Sequence, residues 1–155
     1  MTDYGHMVNE GGMDAIINNT RTRATTTNPL GINWMDGIGT PISTTPGATT
    51  TITAANLLVG VITMAPSTGC TATFDTATNI VSAVNTASAG AQAGDYISAL
   101  IMNGSSTNSI TLAAGTGGSF DTNQATRTIP ANTSKWVLIC LNNVTSGSQA
   151  YTIYF

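Results

Sequence analysis

Trp136-Val137-Leu138-Ile139-Cys140-Leu141 is an unbroken run of six apolar residues, and it limits what this chain can become. The run is far short of the roughly 20 residues that cross a bilayer as a helix. With no polar position, it also lacks the one-sided pattern of a surface helix. It reads as a strand, with Trp136, Leu138 and Cys140 on one face and Val137, Ile139 and Leu141 on the other. In a small two-layer domain one face of each sheet normally meets water. The second apolar face therefore calls for the chain's own helix or for another subunit. Val137, Ile139 and Leu141 are candidate packing or subunit-interface residues, the domain's own core being the other reading.

Short strand signals surround this run from Thr49 onward. Thr50-Thr51-Ile52, Gly60 to Met64, Cys70 to Phe74, Tyr96 to Met102, Ile110 to Ala113, Ala125 to Ile129 and Tyr151 to Phe155 all read as strands, set off by Gly, Pro, Asn and Ser. Asn103-Gly104 predicts a hairpin between the fourth and fifth of these. Thr53 can N-cap one helical turn at Ala54–Leu58. Asp75 or Thr76 can cap a longer helix whose Ala77, Ile80, Val81 and Val84 form one apolar stripe. The expectation is a mainly β fold: a small β-sandwich or jelly-roll-like domain over 49–155, with one or two short helices. Residues 1–48 hold six of the eleven charges and three of the five prolines, and they read as an extended N-terminal arm. Apolar islands interrupt it, notably Leu30-Gly31-Ile32-Asn33-Trp34-Met35 beside the turn formers Asn28-Pro29 and Asp36-Gly37. Such islands need a surface to cover them, either the parent domain's own or a neighbour's.

Composition then removes whole classes of function. Only 7% of the 155 residues are charged and the net charge is −3, while Thr, Ser and Asn number 29, 12 and 14. Four basic residues cannot form the phosphate-neutralising patch that nucleic acids require, nor a patch for anionic membranes. Low charge and a mean hydropathy of +0.14 also separate the chain from disordered sequences. The start, Met1 to His6, lacks a basic region followed by an apolar one, so the chain is expected to be made in the cytoplasm. There Cys70 and Cys140 stay thiols.

Chemical motifs fare no better. The only histidine, His6, lies in the arm, which speaks against a Ser or Cys triad and against zinc. Asp75, Asp95 and Asp121 are isolated, each beside a turn or cap, unlike the facing pair of a glycosidase. Gly115 to Gly118 has no Lys-Ser/Thr ending and reads as a turn. Thr-x-Thr recurs at 49–51, 51–53, 71–73, 76–78 and 126–128, but its irregular gaps do not describe a fixed-period solenoid. No catalytic residue, metal site or cofactor is expected, and the chain is not expected to be an enzyme. A carbohydrate-active domain would need two facing carboxylates.

Gly94-Asp95-Tyr96-Ile97, Ile101 to Ser105, Ile110 to Gly117, Thr128 to Thr133 and Tyr151 to Tyr154 together carry a resemblance over residues 50–155. They resemble a β-rich domain of virion surface proteins: capsid decoration, minor capsid and fibre-like proteins of tailed phages and large DNA viruses. The resemblance implies a small domain, commonly a homotrimer, on the capsid surface of a virion and seated on the major capsid protein, as a decoration or cement protein would be. Leu30, Ile32 and Trp34 are then the candidate arm anchors on the capsid. The alternative is a receptor-binding or fibre-tip module acting through loops at Asn103–Asn108 and Asn142–Gln149.

Overall fold

The computed structural model describes residues 42–87, 90–123 and 126–155. They form a mainly β structure of two sheets and two helices. In chain order the elements are β1 Ile42–Thr44, β2 Thr49–Ile52, α1 Ala54–Val59, β3 Val61–Met64, β4 Cys70–Phe74, α2 Ala77–Ala87, β5 Tyr96–Asn103, β6 Ile110–Ala113, β7 Gly118–Phe120, β8 Thr128–Ile129, β9 Ser134–Asn143 and β10 Ala150–Tyr154. One sheet has the order β1-β3-β5-β9-β10-β7, the other β2-β4-β6-β8. β1 lies within the segment read as arm, and it forms one edge of the six-stranded sheet.

The chain alternates between the sheets from β1 to β9, so neighbouring strands often run parallel. β1, β3 and β5 are parallel in one sheet, and β2, β4 and β6 are parallel in the other. The path is therefore a coil. Its first turn sets Ile42 beside Ile62 and Thr49 beside Thr71, about 20 residues on. Its second sets Val61 beside Leu100 and Cys70 beside Ile110, about 40 residues on, because α2 is inserted in that turn. The hairpin expected at Asn103-Gly104 does not form: β5 and β6 belong to different sheets, and this segment is a crossing between them. Asn103 is buried, and its Nδ2 donates to the carbonyls of Asn108, Ile129 and Pro130 at 2.8, 3.0 and 3.0 Å. Its Oδ1 accepts from the Ser105 N–H, so the side chain closes the crossing on itself.

Both helices form where capping and periodicity place them. The Thr53 hydroxyl accepts from the Asn56 N–H at 3.2 Å, and Gly60, at φ 84°, ends α1 in the left-handed conformation. The Thr76 hydroxyl accepts from the Asn79 N–H, and Ala77, Ile80, Val81 and Val84 of α2 are all buried. These residues join the inward residues of both sheets in one continuous core. At about 1.5–3 kcal/mol for each large aliphatic or aromatic side chain removed from water, that core is the principal source of stability.

Two polar groups tie the sheets and helices together. Tyr151 of β10 is fully buried and its hydroxyl donates to the Asp75 carbonyl at 2.9 Å, just beyond β4 in the opposite sheet. It also accepts from the Gly115 N–H at 3.0 Å. The glycines here are positional: a Cβ on Gly118 would strike the Tyr151 ring, and one on Gly115 the carbonyls of Phe74 and Asp75. The Asp75 carboxylate accepts from the Ala54 and Thr76 N–H groups and from Asn79 Nδ2, at 3.0, 2.8 and 2.6 Å. Burial pushes its pKa up, but these three donors outweigh that and hold it below its ordinary 3.8.

Replacing Tyr151 with Phe keeps the ring and strands two backbone groups. At about 1–3 kcal/mol for each buried unsatisfied group, urea unfolding should show a loss of about 2–6 kcal/mol. Asp75 contributes its stability fully above its ordinary pKa and loses it as pH falls through that value towards the lower folded one. Asp75→Asn should therefore cost about 1–2 kcal/mol at neutral pH. It should also flatten the decline in stability that the parent shows below about pH 4, measured by denaturation across a pH series.

Candidate docking face

The register of β9 decides which of its two apolar faces is available. Val137 and Ile139 pair with Ala99 and Ile97 of β5, and Leu141 with Tyr151 of β10, all pointing into the core, and they are 1%, 0% and 0% exposed. These three were read as packing or subunit-interface residues, and the structure puts them in the domain's own core. The surface belongs instead to Trp136 and Leu138, which are 57% and 36% exposed. The helix does not cover this face, because the stripe of α2 is spent on the core between the sheets.

Neighbouring strands extend the apolar surface. Val61, Leu100 and Trp136 lie side by side across β3, β5 and β9, and Ser98, Leu138 and Tyr154 across β5, β9 and β10. Tyr96 and Met102, at 39% and 40% exposure, stand at the two ends of the β5 row. Over β5, β9 and β10 the face carries an open, shallow groove of about 360 Å³ lined by Ser98, Trp136, Val137, Leu138, Tyr154 and Phe155. No charged side chain lines it. Two cations lie near its end: Lys135 Nζ sits 4.1 Å from the Phe155 ring centroid and Arg127 sits 4.3 Å from that of Phe120. Both are occupied by aromatic rings. The sequence run around β9 announced this face, whereas Tyr96, Met102 and Tyr154 were missed, because only the strand register brings them to it.

The four-stranded sheet presents a different exterior. Thr49, Thr71, Thr111 and Thr128 align across β2, β4, β6 and β8 in one row, and Thr51 and Thr73 start a second. The Thr-x-Thr segments of β2 and β4 do stack, although their spacing along the chain is irregular.

The remaining sequence candidates have local roles. Asp95 accepts from the Gln92 N–H and Asp121 from the Asn123 N–H, as turn residues do. Cys70 is buried and its pKa is raised by desolvation, while Cys140 is half-buried on the outer face; both are free thiols. In the loop at Asn103–Asn108, the polar groups of Asn103 and Ser105 are turned inward. Among the described residues no group of three or more His, Cys, Asp or Glu could hold a metal, and no helix is long and apolar enough to cross a membrane. Leu30, Ile32 and Trp34 lie outside the described residues. No family model, curated protein or solved structure matches the chain.

Two substitutions on the same strand test the orientation. Ile139→Ala should cost about 2–5 kcal/mol in chemical denaturation, as large-to-small core changes do. Trp136→Ser, on the outer face, should stay within about 1 kcal/mol of the parent.

Proposed function

We propose that this chain is a structural protein of a virus particle, a capsid decoration, cement or minor capsid subunit that assembles as a homotrimer and stabilises the shell of major capsid protein. The observation that supports it most is the uncharged apolar outer face of the six-stranded sheet, centred on Trp136 and Leu138. Apolar patches of this kind on small domains mark contact with another macromolecule. The two stacked sheets are read as a β-sandwich, in keeping with the resemblance to virion surface domains. Its role needs no chemistry: the contact works by shape and exclusion of water, and many copies on one lattice turn weak contacts into firm attachment. The N-terminal arm, with Leu30, Ile32 and Trp34, adds reach beyond the domain.

Co-sedimentation of the purified chain with shells of the parent virus tests this reading. The full chain is expected to pellet with shells in a fixed ratio to the major capsid protein. Leu138→Arg or deletion of residues 1–40 should cut the bound fraction at least tenfold while the circular dichroism spectrum stays β-rich. A full chain that remains in the supernatant with intact shells removes the proposal.

A further inference from the structure

We infer that in the free chain residues 30–35 cover the outer face of their own six-stranded sheet, so that the molecule carries a guard for the face that docks. The cover follows from the sheet and from the chain leading into it, whereas its role as a guard rests on the reading above of the chain as a shell-binding subunit.

Tyr96, Met102, Trp136 and Leu138 are the large apolar side chains that stand exposed among the described residues, and all four belong to this face. Of residues 30–35, Leu30, Ile32, Trp34 and Met35 are apolar, and no charged residue falls between Arg23 and Asp36. None lines the groove either, so an uncharged segment meets an uncharged site and no ion loses its water.

Where the segment joins the sheet decides which copy supplies it. Residues 1–41 lead into Ile42, the first residue of β1, at the edge of this same sheet. Ile42 lies beside Ile62, Ile62 beside Ile101 and Ile101 beside Lys135, so the entry point is level with the residue before Trp136. From β1 to β9 is three strand spacings, about 14 Å. The seven peptide steps from Met35 to Ile42 span at most about 25 Å, and a flexible chain of that length averages about 13–16 Å end to end. A tether whose average length matches the distance gives its segment an effective concentration on the order of millimolar. A second copy's segment equals that only in a solution about as concentrated, so in dilute protein the chain's own residues take the face.

Area points the same way. The apolar face measures about 19 Å across β3, β5, β9 and β10 and about 20 Å along β5, on the order of 400 Å². A stable contact between separate molecules takes about 800 Å² from each. A tethered segment needs less, because it loses little of the translational and rotational freedom that separate molecules give up. A cover held this lightly yields to a shell, whose contacts are repeated over many copies, and its departure frees Leu30, Ile32 and Trp34 together with Trp136 and Leu138.

Tryptophan fluorescence of the full chain, without shells, tests this. Trp34→Phe keeps an apolar residue in the segment and leaves Trp136 as the sole tryptophan. With the protein at about micromolar concentration, far below the effective concentration of the tether, acrylamide should quench this chain about twofold less, or weaker still, than the same chain carrying Leu30→Asp and Ile32→Asp. Circular dichroism should show one fold for both; Leu30→Ser with Ile32→Ser replaces the aspartates if they disturb it. The broken-segment chain is also co-expressed with a chain that keeps residues 30–35 but carries Trp34→Phe and Trp136→Phe. Trp136 of the broken-segment chain should stay quenchable there, because the second chain's segment sits on its own sheet. Equal quenching of the intact and broken segments overturns the inference. So does protection supplied by the co-expressed chain, which makes the occupant a second copy. Neither result depends on co-sedimentation: a chain that fails to bind shells can still cover its face, and a chain with an open face can still bind them.

Discussion

A chain that passes repeatedly from one sheet to the other must satisfy its backbone at each crossing, where N–H and C=O groups leave one ladder before joining the next. Unpaired groups buried at those points would cost about 1–3 kcal/mol each. Here the crossings are closed by neutral side chains and the carboxylates of Asp75, Asp95 and Asp121. Asn103 gathers three carbonyls at one end of the molecule. Tyr151 reaches across the core to Asp75 and Gly115 at the other, and the Asp75 carboxylate collects the starts of both helices. Among the described residues no buried side-chain nitrogen or oxygen lacks a partner. So sparse a use of charge is possible because neutral hydrogen bonds, unlike ion pairs, carry a small desolvation cost into the interior.

That arrangement explains what the residues disclosed and what they concealed. Local signals were readable. The cap at Thr53, the stripe Ala77-Ile80-Val81-Val84, the turn roles of Asp95 and Asp121 and most strands depend on neighbours a few positions away, and these formed as expected. Non-local signals were not. The coil escapes any search for a fixed repeat because its second turn contains α2, which lengthens the step between stacked strands from about 20 residues to about 40. Asn103-Gly104 resembles a hairpin turn, yet the asparagine amide is used to pin a crossing between sheets, and nothing within five residues reveals that.

The candidate face shows the same division. Six apolar residues in a row predict a strand with two apolar sides, but parity alone does not say which side is the core. Val137, Ile139 and Leu141 are inward because Ala99 and Ile97 of β5 lie beside them, and that register is a property of the whole sheet. A one-residue slip would have reversed the assignment. Tyr96 and Met102 entered the face by the same route.

Leaving Trp136 and Leu138 uncovered is unprofitable for a solitary domain and useful for an assembling one. A half-exposed tryptophan holds of the order of 100 Å² of apolar surface, which at about 25 cal/mol per Å² corresponds to some 2–3 kcal/mol realised only on contact. With few charges nearby, approach of a second copy meets little repulsion and pays little ion desolvation, and the contact should be nearly indifferent to salt. The cations that do lie close, Lys135 and Arg127, are stacked on Phe155 and Phe120 and so help to hold the rim in shape. For the proposed assembly a modest free energy per contact is enough, because repetition on a closed ring or a lattice would multiply it while each domain rests on its own core.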